Sequence, residues 1–329
     1  MSSAVGYQHI LLVIDPAQSE VWAIERAVAL ASRSGAALRI LVVADPPSVS
    51  DWAVMISAQD ECERYRHELQ AWLRKQLNAL GDKVNNLSVT TEVILNDDPA
   101  ATIRDKSELW RPDLLMKTLR HESPLKRAFM WPLDWYLIRE CAMPVYLLGA
   151  GAQAMPENIF AAVDLLDEQD PSVQDDEVLV EAVKLTWQWG AQLHIVHALD
   201  MGETSVTERD YRQSWEKLID RRRSFCQERL AGLGDRYDVA PQRRHLLEGD
   251  ALPALAKLMA SAASDVIVLG RTRHERLDVW LGNTTERFVT KSPLCAVLAV
   301  GQPSGSRSPK GLPGLRRRID TLIQAIFLD

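Results

Sequence analysis

Short apolar runs alternate with longer amphipathic stretches along most of this chain. In the first half, His9–Ile14, Leu38–Ala44, Leu87–Ile94, Asp113–Lys117 and Val145–Leu148 are nearly continuous in Val, Ile and Leu. Runs of that kind predict strands buried on both faces. Between them, Glu20–Ser34, Asp51–Leu80, Pro99–Trp110 and Pro132–Glu140 carry the helical period, and Gly35 and Gly81 stand where helices should stop. The second half repeats the order. Its predicted strands are Asn158–Val163, Leu193–Leu199, Tyr237–Leu246, Val266–Leu269 and Leu294–Val300, and its predicted helices are Asp175–Trp189, Val206–Gly232, Ala251–Ala262 and Asn283–Lys291. Ser205 and Glu208 have capping-box spacing before the long helix. Strand–helix alternation predicts an α/β fold, a mostly parallel sheet with helices on both faces.

The two halves are copies. Asp15 and Asp164 each end an apolar run, Gly35 and Gly190 each open a Gly-Ala-x-Leu segment, Asp113 and Asp265 precede the fourth strands, and Pro144 and Pro293 precede the fifth. By subtraction the offsets are 149, 155, 152 and 149. A near-constant offset marks an internal duplication. The expected domains are residues 1–150 and 155–302, joined at Gly149–Ala154 and followed by residues 303–329. That last segment begins rich in Gly, Pro and Ser. It then places Leu315, Ile319, Leu322, Ile323, Ile326 and Phe327 on one helical stripe beside Arg316, Arg317 and Arg318. Packing on the body or on a partner is the expected role of this stripe, with peripheral membrane contact as the alternative.

Composition narrows the function classes. The chain has 329 residues, a net charge of -7, 47% hydrophobic and 25% charged residues, and a sequence pI of about 5.6. An acidic balance argues against broad nucleic-acid binding by charge. Cys62, Cys141, Cys226 and Cys295 form no CxxC pair, which fits a reduced, cytoplasmic compartment. No signal peptide and no membrane-spanning run is expected. The sequence has no Gly-x4-Gly-Lys-[Ser/Thr] loop, no Gly-x-Ser-x-Gly elbow and no metal-spaced histidine cluster. His194 and His197 are three apart on a predicted strand and so on opposite faces. His121 and His274 are expected at the surface. Trp72, Trp110, Trp187 and Trp189, on predicted helices, are expected in core or interface.

Open α/β sheets bind ligands beyond the carboxyl ends of their strands, where strand order reverses. In the second copy that singles out Asp164 after the first strand and Gly270 after the fourth. The following loop ends in Gly282-Asn283-Thr284 at a helix start. Free N–H groups there could cradle an anion, or Asn283 could be only an N-cap. The spacing alone leaves both open.

Here the chain resembles the universal stress protein family, most closely its enterobacterial E-type tandem subgroup, over roughly residues 7–300. ATP-binding single-domain members carry Gly-x2-Gly-x9-Gly-[Ser/Asn] after the fourth strand and an Asp after the first. The resemblance implies two tandem Rossmann-like domains (adenine nucleotide alpha hydrolase-like), each a five-stranded parallel sheet of order 3-2-1-4-5. Asp164, Gly270, Gly282, Asn283 and Thr284 match the motif. Arg273 replaces its second Gly, and the spacer that follows is one residue short. Arg271, Arg273 and Arg276 could draw another anion instead, or be ordinary loop charges. In the first copy Thr118 replaces the first Gly. Counting back from Pro144, Leu133 replaces the last Gly and Asp134 replaces Asn283. Asp134 would repel a phosphate while suiting the helix dipole. Pro132-Leu133-Asp134-Trp135 carries the likeness to the E-type subgroup. The resemblance further implies an intramolecular pseudo-dimer through the fifth strands, with a homodimer open.

These features point to a non-enzymatic stress-response protein that binds a small anionic ligand in the second domain. ATP or another adenine nucleotide leads the candidates, with no metal beyond a nucleotide-associated Mg. A weak ATPase or adenylate-handling enzyme and a ligand-free scaffold are the alternatives. No assembled base, nucleophile or Lys clamp supports the enzyme.

Overall fold

The computed structural model describes residues 6–16, 21–47, 55–119, 133–152, 154–166, 173–200, 209–260, 265–271, 284–291 and 295–301. It divides into two compact units, with the boundary between Met155 and Pro156. The capping box at Ser205 and Glu208, the loop histidines His121 and His274, and the tail from residue 302 lie outside the described residues.

The first unit runs β1 (His9–Ile14), α1 (Val21–Ser34), β2 (Ala37–Ala44), α2 (Met55–Ala79), the short α3 (Asp82–Asn85), β3 (Val89–Leu95), α4 (Pro99–Trp110), β4 (Leu114–Thr118), α5 (Leu133–Glu140) and β5 (Val145–Leu148). Its strands pair in parallel in the order β3-β2-β1-β4-β5. The second unit runs β6 (Asn158–Ala162), α6 (Val173–Trp189), β7 (Gln192–Leu199), α7 (Arg209–Arg236), β8 (Arg244–Glu248), α8 (Ala251–Ala260), β9 (Val266–Gly270), α9 (Thr284–Lys291) and β10 (Ala296–Val300). Its order, β8-β7-β6-β9-β10, is the same topology. The expected α/β class and strand order therefore hold in both copies.

The apolar runs are the core. All residues of β4, β5 and β10 are buried, and α1 packs Ala23, Ile24, Ala27, Val28, Leu30 and Ala31 inward. Gly35 (φ 68°) and Gly190 (φ 66°) end their helices in the left-handed region. Each lets the next amide turn back, Ala36 N–H to Ala31 O and Ala191 N–H to Thr186 O. Of the tryptophans expected in core or interface, Trp189 is buried and Trp187 is 44% exposed.

Asp113 and Asp265 act as a repeated clamp. The Asp113 carboxylate accepts the Gln8 and His9 amides at 2.6 and 3.0 Å. Asp265 accepts the Glu157 and Asn158 amides at 2.9 and 2.8 Å. Each ties the start of its unit's first strand to its fourth. The joint at Gly149–Ala154 is held too. Buried Arg26 donates to Ala152 O and to the Tyr146 hydroxyl, both at 3.0 Å, and to Ala154 O.

One predicted strand is corrected. Tyr237–Leu246 reads as apolar and extended, but the strand begins only at Arg244. Helix α7 continues past Gly232 to Arg236, and Tyr237 and Val239 are buried in its C-terminal turn. Arg244 explains this. Its guanidinium donates to Val239 O, Ala231 O and Asp235 Oδ1 at 2.7, 3.2 and 2.7 Å, capping the helix end. A Cβ on Gly234 would lie 2.0 Å from Arg244 Nε. That glycine therefore makes space for a side chain rather than stopping the helix.

Candidate functional site

In the second unit the carboxyl ends of β6 and β9 lie side by side. Ala161 is level with Val268, so two residues on Val163 reaches the level of Gly270, and Asp164 projects just beyond. This is the switch point, where the chain order in the sheet reverses. Asp164 is exposed, and its Oδ1 accepts the Leu166 amide at 3.0 Å. His197 Nδ1 faces Val163 O at 3.0 Å, and Arg229 donates to Leu165 O at 2.8 Å. Those two contacts brace the loop that carries Asp164. Burial, then the Asp164 carboxylate, hold the Cys226 thiol above its usual range, so the negative charge of Asp164 is felt inside the unit.

Gly270 ends β9 with no side chain over the edge. Thr285, 1% exposed, donates its hydroxyl to Gly270 O at 2.7 Å. This bond sets the first turn of α9 against the end of β9. The structure thus sets Gly270 against the first turn of α9, which Thr284 opens, and places Asp164 two residues past the end of the neighbouring strand β6. Gly282, Asn283, Arg273 and Arg276 lie outside the described residues. Arg271, offered by sequence as an anion attractor, is corrected. It is 5% exposed, with its guanidinium turned to the Gly301 carbonyl and its amide on Val300 O at 2.7 Å. Its charge is used to fasten the ends of β9 and β10.

The first unit fills the same place differently. Lys117 and Thr118 end β4, 2% and 5% exposed. Lys117 Nζ pairs with Asp134 at the start of α5 at 2.9 Å and also donates to Thr118 O at 2.8 Å. Asp134 is itself 5% exposed. Above the pair a cavity of about 150 Å³ is lined by residues that include Ile14, Asp15, Asp45, Tyr65, Asn96 and Lys117. Asp134 therefore does suit a helix start, and it is neutralised by an internal ammonium rather than left to face a ligand.

The structure also moves the match between copies. Leu114–Thr118 corresponds to Val266–Gly270 in the sheet, so Lys117 stands where Leu269 stands. Along the helix, Leu137 and Ile138 take the buried places of Phe288 and Val289. Leu133 therefore matches Thr284, and Asp134 matches Thr285, not Gly282 and Asn283. Pro144 and Pro293 are not equivalent landmarks, because Val145 pairs opposite Leu115 while Val297 pairs opposite Ile267. Sequence reasoning passed over Lys117, Thr285 and Arg229, and weighed His197 only as a metal ligand. The one available signal was a lone Lys in the apolar run Leu114-Leu115-Met116-Lys117.

A five-stranded sheet of this order, with a helix start set at its switch point, is of the doubly wound α/β class. Within that class the chain belongs to the universal stress protein family, which matches residues 6–148 and 155–301. The chain is 23% identical to the universal stress protein E homolog of Haemophilus influenzae over 308 residues, covering 87% of this chain and 94% of the relative. It is also 23% identical to universal stress protein E of Escherichia coli K12 over 299 residues, covering 86% and 90%. The solved structure of a putative universal stress protein from Pseudomonas aeruginosa UCBPP-PA14 superposes with a TM-score of 0.64 at 21% identity, covering 98% of each chain. Family membership supports a stress-response role. No helix among the described residues is long and apolar enough to cross a membrane.

Proposed function

We propose that the chain is a non-enzymatic, cytoplasmic stress-response protein that binds a small anionic ligand in its second domain, an adenine nucleotide such as ATP or AMP first among them. The observation that carries this is the contrast at the end of the fourth strand. Domain 1 places a buried Lys117–Asp134 pair there, and domain 2 keeps a bare Gly270 backbone beside a helix N-terminus. Amides at such a start favour negative charge. Asp164, exposed beyond the end of β6, would take a hydrogen-bond donor of the ligand, and Gly282, Asn283 and Thr284 would approach its phosphates. A magnesium ion would enter only with the nucleotide. The four free cysteines fit a reduced compartment.

A thermal-shift series on the full chain with ATP, ADP, AMP and inorganic phosphate tests this. The expected result is a rise in melting temperature with a nucleotide, abolished by Gly282→Arg and kept in Asp134→Asn. No shift with any nucleotide would leave the ligand-free scaffold standing. Phosphate release that disappears in Asp164→Ala would establish an enzyme instead.

A further inference from the structure

Away from the carboxyl ends of its strands, domain 2 carries a hydrogen-bonded chain across the amino-terminal part of its sheet. Asp265 precedes β9, Asn158 opens β6, His194 lies on β7 and His245 on β8, so the four side chains follow the spatial order of four adjacent strands. Asn158 Nδ2 donates to Asp265 Oδ2 at 2.9 Å. Asn158 Oδ1 faces His194 Nε2 at 3.1 Å, and His194 Nδ1 faces His245 Nε2 at 2.9 Å.

The direction of every bond follows from the first. An ionised carboxylate only accepts, so Asn158 must turn its amide N–H to Asp265 and its oxygen to His194. His194 then carries its proton on Nε2, its Nδ1 accepts, and His245 must donate from Nε2. The imidazole planes differ by 7° with centroids 5.2 Å apart. With facing nitrogens at 2.9 Å, the rings therefore lie edge to edge in nearly one plane. That geometry holds a shared proton. A zinc ion at about 2.0 Å from each nitrogen would need a wider gap along this line. Phe160 packs on His194 at 4.6 Å between centroids and closes one side.

We propose that the His194–His245 pair is an acid-responsive strap that ties the outer strand β8 to β7 while both rings are neutral and releases it when they are protonated. A second proton on His194 would turn its Nδ1 into a donor facing the His245 donor. One added proton can be absorbed by a tautomer change at His245; two cannot. The surroundings oppose the charge. Burial, then His245 on β8 and Arg243 on the turn before it, push the His194 imidazole from the usual 6.5 down to about 4, with Asp265 pulling the other way. Burial lowers His245 as well. Each group binds protons less readily folded than unfolded. The strap is therefore intact above about pH 6.5 and weakens as pH falls from there towards about 4. β8 is the sheet's edge and only half buried, so it is the strand the strap can free. Domain 1 builds this place from other residues. In the matching register Arg39 replaces His194 and Glu92 replaces His245, and they engage Trp110 and Lys106.

Imidazole nitrogen shifts of the full chain, followed from about pH 7 to about pH 3.5, test the strap directly. The expected result is an Nε2–H tautomer at His194 and protonation of both rings well below their usual value. Amide exchange in β8 should accelerate over the same range. Asn158→Asp, which offers His194 a carboxylate, should raise its midpoint by about one unit or more, and the onset of faster β8 exchange should move up in pH with it; an onset that stays in place while the midpoint moves would overturn the proposal. Ordinary midpoints near 6.5 for both rings, an Nδ1–H tautomer at His194, or β8 exchange indifferent to the transition would overturn the proposal.

Discussion

At the carboxyl edge of the first sheet, Lys117 ends β4 and reaches Asp134 at the head of α5, both sealed from solvent. At the same edge of the second sheet, Leu269 and Gly270 end β9, and Thr285 at the head of α9 donates to the Gly270 carbonyl. The folds are the same and the helix starts are set in the same place. What differs is where the countercharge for the helix N-terminus comes from. Domain 1 supplies its own carboxylate and a cation to neutralise it. Domain 2 puts a neutral hydroxyl in the carboxylate's place, so the positive end of its helix can favour an outside anion. A duplicated fold can therefore keep its scaffold in both copies while one copy buries a carboxylate and its countercharge where the other has a neutral hydroxyl.

The comparison breaks most readily at the ion pair. Removing one partner leaves a buried charge alone, so Lys117→Met or Asp134→Ala should cost domain 1 about 3–5 kcal/mol in chemical denaturation. The double change Lys117→Leu with Asp134→Thr copies domain 2 and should restore most of that loss. If the double variant were as unstable as the worse single variant, the pair would not be an exchangeable substitute for the Leu269–Thr285 arrangement. A smaller effect is expected at Thr285→Val, which leaves the Gly270 carbonyl without its side-chain donor. About 1 kcal/mol of domain 2 stability should be lost, together with weaker nucleotide binding as α9 loosens from β9. Unchanged binding in that variant would detach the Thr285 contact from the site.

Much of this architecture is legible in the residues. Runs such as Ile10–Ile14 and Val145–Leu148 announce buried parallel strands, because a two-sided core is what uses so many consecutive apolar side chains. Gly35 and Gly190 mark helix ends because their turns require positive φ. The misreadings have local causes. Tyr237 and Val239 look like strand because burial at a helix end has no period over so few residues, and the predicted helix stops at Gly232 although α7 runs on through Gly234, which makes room for Arg244. The prolines at 144 and 293 suggested a register that the strand pairing does not keep. The candidate site was legible at Asp164 and Gly270, whose positions follow from topology. Its contrast with domain 1 was not. A Lys–Asp pair so far apart in the chain becomes visible only when β4 and α5 bring Lys117 and Asp134 to 2.9 Å.

If domain 2 alone binds nucleotide, the number bound per chain is fixed at one. Calorimetric titration of the full chain with ATP measures it most directly. The expected result is one nucleotide per chain, with the stoichiometry unchanged by Lys117→Leu with Asp134→Thr and the binding lost in Gly282→Arg. Two equivalents per chain, or binding that survives Gly282→Arg and disappears when the domain 1 pair is altered, would contradict it.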